Sequence, residues 1–230
     1  MKLKKEYFCG EIGERKMEAL RIYKTNKRNI GVVAVSGLEC WVYAIVINNF
    51  KTYYNMKFNF ENLDQKTRDL MISEIKIDID NNQLYISKRF NENGNRLYVD
   101  ILLDSVRNGD EETLATALKV KNCFAEKETR NGKNGMTYAK VPETANQTLA
   151  DSEFNRFYMR GLSQRAIRTG QSLTIYRARH SDNPRAESEA MVGKTIDAQK
   201  LLRDLRKNIG TDTALGLPPG PNSGLSVKLA

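Results

Sequence analysis

The sequence predicts an α+β protein, with a mainly antiparallel sheet and helices in the first half and a smaller αβαβ unit in the second. Three observations carry this. Early segments alternate apolar and polar residues, the mark of half-buried strands. Later segments repeat their apolar residues at helical spacing and begin with capping residues. The 230 residues are 40% hydrophobic and 28% charged with no low-complexity tract, enough apolar material for a core.

Residues 11–24 read as a helix, with Met17, Leu20 and Ile22 among charges. Ile30 to Asn48, IGVVAVSGLECWVYAIVIN, carries one charge in 19 residues, long enough to span a bilayer. Ser36-Gly37-Leu38-Glu39 interrupts it, and its β-branched residues favour two buried strands joined by a turn. No membrane partner is therefore expected. KTYYNMKFNF, residues 51–60, alternates as a strand. Asn62 or Asp64 can cap a short helix reaching Met71. EIKIDID (74–80) and QLYISK (83–88) flank Asn81-Asn82 and read as a hairpin with a tight turn.

Residues 96–109 predict an apolar helix stopped by Gly109, and Asp110 caps a following helix that opens with Glu111 and Glu112. These segments complete a first unit, 1–124. Residues 125–148 are polar, contain two glycines and a proline, and read as a linker. The second unit, 149–230, holds a helix at 149–168, a strand at 172–179, a helical turn near 184–192, a helix at 197–209 and a strand at Leu225–Leu229. Before that last strand lies GLPPGPNSG, with three of the five prolines, read as an extended arm able to join copies of the chain into a homo-oligomer.

The net charge is +9, divided as +3 over residues 1–125 and +6 over 126–230. That balance favours nucleic acid or an acidic protein surface as partner. Cys9, Cys40 and Cys123 lack C-x-x-C pairing and the chain has one histidine, which argues against a zinc site and for free thiols in a reducing compartment, the cytoplasm. The N-terminus has no apolar core of a signal peptide. No phosphate-binding loop or dinucleotide fingerprint is present, and no cofactor is expected.

From Phe154 to Ser181 the chain has six arginines, no lysine and no carboxylate. On a helical wheel Arg156 and Arg160 fall opposite an apolar arc of Phe154, Phe157, Tyr158 and Leu162 and are expected to face outward. Arg165 falls inside that arc at about 20° from Phe154 and must reach solvent, stack on an aromatic or meet a buried acid, with Asp182, Glu187 and Glu189 the candidate acids in the same unit. Arg177 and Arg179 share a strand face. Arg203, Arg206 and Lys207 lie opposite the leucine face of the last helix. Together these eight residues make a candidate polyanion-binding surface. The competing reading is a solvated face with internal ion pairs.

Two catalytic alternatives remain. His180, Glu187 and Glu189, with Arg177, could serve phosphodiester or glycosidic chemistry. Glu74 and Lys76, with Asp78 on the same face of the expected strand, form an E-x-K similar to that of PD-(D/E)xK nucleases. The resemblance implies a Mg²⁺ held by carboxylates, although the upstream acid would have to be Asp64 or Asp69. Either would make the chain an enzyme acting on nucleic acid rather than a non-catalytic binding protein.

The runs SEFNRFYMRGLSQRAI, YRARHSDNPRAESEAMVG and GLPPGPNSGL resemble segments of prophage and mobile-element proteins of the phage head-assembly or virion type. The resemblance covers residues 149–230 and implies an assembly role near a genome-filled particle.

Overall fold

The computed structural model describes residues 57–132, 135–209 and 224–230, and the backbone of three short strands further toward the N-terminus. The chain divides into two compact units, Met1–Thr52 and Tyr53–Ala230. In the first, β1 (Lys5–Glu6), β2 (Ile22–Lys24) and β3 (Ile30–Gly31) form an antiparallel sheet in that order. Ile22–Lys24 is thus extended where a helix was expected. The rest of the expected 11–24 helix, and the expected strand pair beyond Gly31, lie outside the described residues.

In the second unit four long helices come before most of the sheet. Asp64 caps α1 (Gln65–Asp80) by accepting the Thr67 N–H. The first arm of the expected hairpin, 74–80, is therefore helical, and the second, 83–88, is irregular. The alternation of Ile75, Ile77 and Ile79 with charged residues mimics a strand. The buried face instead runs through Thr67, Met71, Glu74, Ile75 and Asp78, at helical spacing. Two acids occupy core positions, so the local pattern of apolar and polar residues hides the period. Asn81 and Asn82 end this helix rather than turn a hairpin. Residues 57–60 are irregular, and the rest of the expected 51–60 strand lies outside the described residues.

Asn91 caps α2 (Glu92–Asn108) and Asp110 caps α3 (Glu111–Val120), the second as the sequence predicts. The expected linker holds an antiparallel ribbon of β4 (Lys127–Gly132) and β5 (Gly135–Lys140), then the start of α4 (Ala145–Thr169). β6 (Leu173–Arg177), α5 (Ala186–Glu189), β7 (Thr195–Ile196), α6 (Ala198–Lys207) and β8 (Leu225–Leu229) follow. β6 is central in a sheet ordered β7-β6-β8, antiparallel to both neighbours. The fold class is α+β. The proline-rich arm lies outside the described residues up to Gly224.

One core joins these elements. Met71 and Ile75 of α1, Leu102 of α2, Leu114 and Leu118 of α3, Phe154 and Leu162 of α4, Leu205 of α6 and Val227 of β8 belong to a single buried cluster. It draws residues from both sides of the ribbon. α4 is the central element, buried on nearly every face between Leu149 and Ala166. Gly161 sets its approach to α1: a Cβ there would stand 3.0 Å from the Met71 nitrogen and 3.1 Å from the Thr67 carbonyl oxygen. On its other side Asn155 donates to the Leu225 carbonyl and accepts from the Ser226 hydroxyl, fastening α4 to β8. Among the described residues no helix is long and apolar enough to cross a membrane.

Candidate functional site

The two arginines expected to face outward are in the core. Arg160 is wholly buried and Arg156 is 4% exposed. Arg160 donates Nη1 and Nη2 to the two oxygens of Asp78, at 2.6 and 2.7 Å, and Nε to Glu74 at 2.9 Å. Arg156 donates to Glu153 at 2.7 Å and lies 3.6 Å from Asp78. Both guanidinium groups lie over the Phe157 ring. Glu74 also accepts Arg206 from α6 and Gln164 from α4. Three carboxylates and three guanidinium groups thus balance each other between α1, α4 and α6.

The wheel misplaced Arg156 and Arg160 because it assumed one buried face. A central helix buries several, and the polar face of α4 meets the acids of α1. Burial opposes ionisation of Glu74, but hydrogen bonds from Arg206 and Gln164 and the charge of Arg160 outweigh it and hold the carboxyl below its ordinary value. At Glu153 burial wins and the carboxyl is raised despite Arg156.

Other predicted anion-binding residues are also engaged. Arg165 pairs with Asp64 at 2.7 Å and donates to the Thr67 hydroxyl, so its acid is the cap of α1 and none of Asp182, Glu187 or Glu189. Arg177 donates to Ser188 and Glu189. Arg179 pairs with Asp151 and sits over Phe58. Arg206 is bound to Glu74. Arg203 and Lys207 are solvent-exposed, and among the described residues neither has an ion-pair partner.

The catalytic alternatives do not assemble as expected. His180 meets Asp182 at 3.0 Å, both exposed, while Glu189 holds Arg177 and Glu187 is exposed on the short α5. Glu74 and Asp78 lie on a helix, not a strand, and are covered by arginines. Lys76 points to solvent from another face of the same helix. Among the described residues no group of three or more histidines, cysteines or acids is placed to hold a metal ion. Cys123 is a free, buried thiol; Cys9 and Cys40 lie outside the described residues.

The ribbon presents residues that the linker reading passed over. Directly paired residues share a face. One face carries Lys127 opposite Lys140, Thr129 opposite Tyr138 and Asn131 opposite Met136. The other carries Glu128 opposite Ala139 and Arg130 opposite Thr137. Glu128 accepts Arg89 and Arg130, tying that second face to the body. The alternation within GMTYAK, with Gly132 and Gly135 marking a turn before it, was the available signal. No family model, curated protein or solved structure matches the chain.

Proposed function

We propose that the chain is a non-catalytic nucleic-acid-binding protein that engages phosphates through the outer face of α6. The observation that carries this is the sorting of α6. Leu201, Leu202 and Leu205 are buried, while Lys200, Arg203 and Lys207 face solvent within an arc of about 60°. Asp204 borders the arc and accepts the Asn208 side chain. Among the described residues none forms an ion pair with these three bases, so they are available to phosphates at no cost in internal pairing. The net charge of +9 supplies long-range attraction. The resemblance of residues 149–230 to virion proteins supports a setting in which packaged nucleic acid is the partner.

The test is binding of fluorescein-labelled DNA, single-stranded and duplex, by the full chain across a salt series. Reversal of all three charges, K200E/R203E/K207E, is expected to weaken both forms at least tenfold and lower the salt slope by about 2, since each neutralised phosphate contributes about 0.7 to 0.9. Binding that ignores salt, or that the triple variant leaves unchanged, overturns the reading.

A further inference from the structure

We infer that the β4–β5 ribbon is a stacking platform for single-stranded nucleic acid, with Tyr138 and Met136 taking bases and Lys127 and Lys140 taking the flanking phosphates. The inference rests on the nucleic-acid reading and gives it a strand form and a second surface.

A two-stranded ribbon is marginal by itself and needs anchoring. Among the described residues its anchors are at its base or on its far face. Phe124 bridges Phe90, the Ala125 N–H donates to the Arg89 carbonyl, and Arg89 grips Glu128. The remaining face is left open. Tyr138 is 77% and Met136 75% exposed, among the most exposed large apolar side chains of the described residues. Apolar side chains on a projecting ribbon gain nothing from folding, so neither is there for the core.

The charges on this face point to the partner. Lys127 stands directly opposite Lys140, an arrangement that weakens strand pairing. The ribbon's open face has no acid. Among the described residues the acid paired with it is Glu143, from beyond the strand, 3.0 Å from Lys140, in a pair whose two side chains are 77% and 86% exposed. Such a pair is worth little and exchanges readily for a phosphate. At the base of the ribbon a cavity of about 530 Å³ is lined by Lys119, Lys127 and Lys140, with Glu126 and Glu143 also on its wall, so the lysines exceed the acids there by one. Met136, Tyr138 and Lys140 recur at steps of about 7 Å along β5, close to the repeat of an extended single strand. An aromatic ring flanked by lysines stacks on a base only if that base is unstacked from its neighbours. A duplex hides its base faces, so the surface favours a single strand.

The experiment uses the full chain, a labelled oligo-dT, a duplex of the same length and poly-glutamate as competitor. M136A/Y138A is expected to lose about tenfold or more in affinity for oligo-dT and less than twofold for the duplex, with an unchanged melting temperature. Y138F retains binding, because stacking does not need the hydroxyl. K127E/K140E weakens oligo-dT binding and lowers the salt slope by about 1.4. Oligo-dT affinity unchanged in M136A/Y138A overturns the inference. So does an equal loss for the duplex, or displacement by poly-glutamate at matched charge, which would mark an acidic protein as the partner. The two readings separate cleanly. If K200E/R203E/K207E leaves binding intact while M136A/Y138A removes it, the α6 reading fails and this one stands; the converse result fails this one alone.

Discussion

Arg160 of α4 and Asp78 of α1 form a two-pronged ion pair, Nη1 to Oδ2 at 2.6 Å and Nη2 to Oδ1 at 2.7 Å, with neither side chain more than 2% exposed. The pair lies where two helices touch, and Glu74 extends it to α6 through Arg206. A fork-to-fork contact of this kind fixes orientation as well as distance. It ties three helices together with polar groups that leave few alternatives for their packing.

Arg160→Met should therefore cost about 3–5 kcal/mol, because it strands the buried Asp78 carboxylate, left with Arg156 at 3.6 Å, and removes one of the donors of Glu74. Urea denaturation at pH 7 measures this. The double variant R160M/D78L should cost less than the sum of the single changes, since the second substitution removes one stranded charge. Glu74 is held below its ordinary value of 4.5, so its contribution is present above that pH and fades as pH falls through the folded value. The gap between wild type and R160M should accordingly shrink on acidification. A gap independent of pH would count against a role for the paired acids.

Glu111 has the opposite sign. It is buried at the start of α3, accepting the Phe58 N–H at 2.8 Å. Burial, with Asp110 and Asp151 nearby, raises its carboxyl from 4.5 to about 7 against that hydrogen bond. Between those values the folded chain holds a proton that the unfolded chain has released, so the contribution of this group falls as pH rises from about 4.5 to about 7 and is flat above. Glu111→Gln keeps an acceptor for Phe58 and removes the titration. Its stability relative to wild type should rise between pH 5 and pH 8, by up to about 3 kcal/mol. Parallel stability profiles would reject the assignment.

Tyr98 offers a third test. Its ring is wholly buried on α2, and its hydroxyl has no hydrogen-bond partner among the described residues. Burial, with the charge of Glu153, pushes the phenol well above its ordinary value, so it stays neutral. Tyr98→Phe removes an unsatisfied polar atom while preserving the ring, and is expected to stabilise the chain by about 1 kcal/mol. Thermal and urea melts read this directly, and a loss of stability would show that the hydroxyl is satisfied after all.

Much of the fold can be read locally, and the reason is the chemistry of ends. Asp64, one of two candidates, caps α1, Gly109 ends α2, Asp110 caps α3, and Leu225–Leu229 pairs as the expected strand. Caps and turns are satisfied by residues a few positions away, so the sequence carries them whole.

The arginines are different, because their partners are remote. Glu74 and Asp78 meet Arg160 across 86 and 82 positions, and Asp64 meets Arg165 across 101. Acids in a core position spoil the apolar period that marks a helix, and buried arginines look like a solvated face. Neither is legible until the other is placed opposite. The sequence by itself determined the α+β class, the Asp110 cap of α3, the Gly109 stop of α2 and an excess of positive charge. Only the tertiary structure decided which positive charges are spent inside the protein and which remain for a partner. A charge is buried only where an opposite charge and good hydrogen bonds offset its lost hydration, and that depends on neighbours far away in the chain.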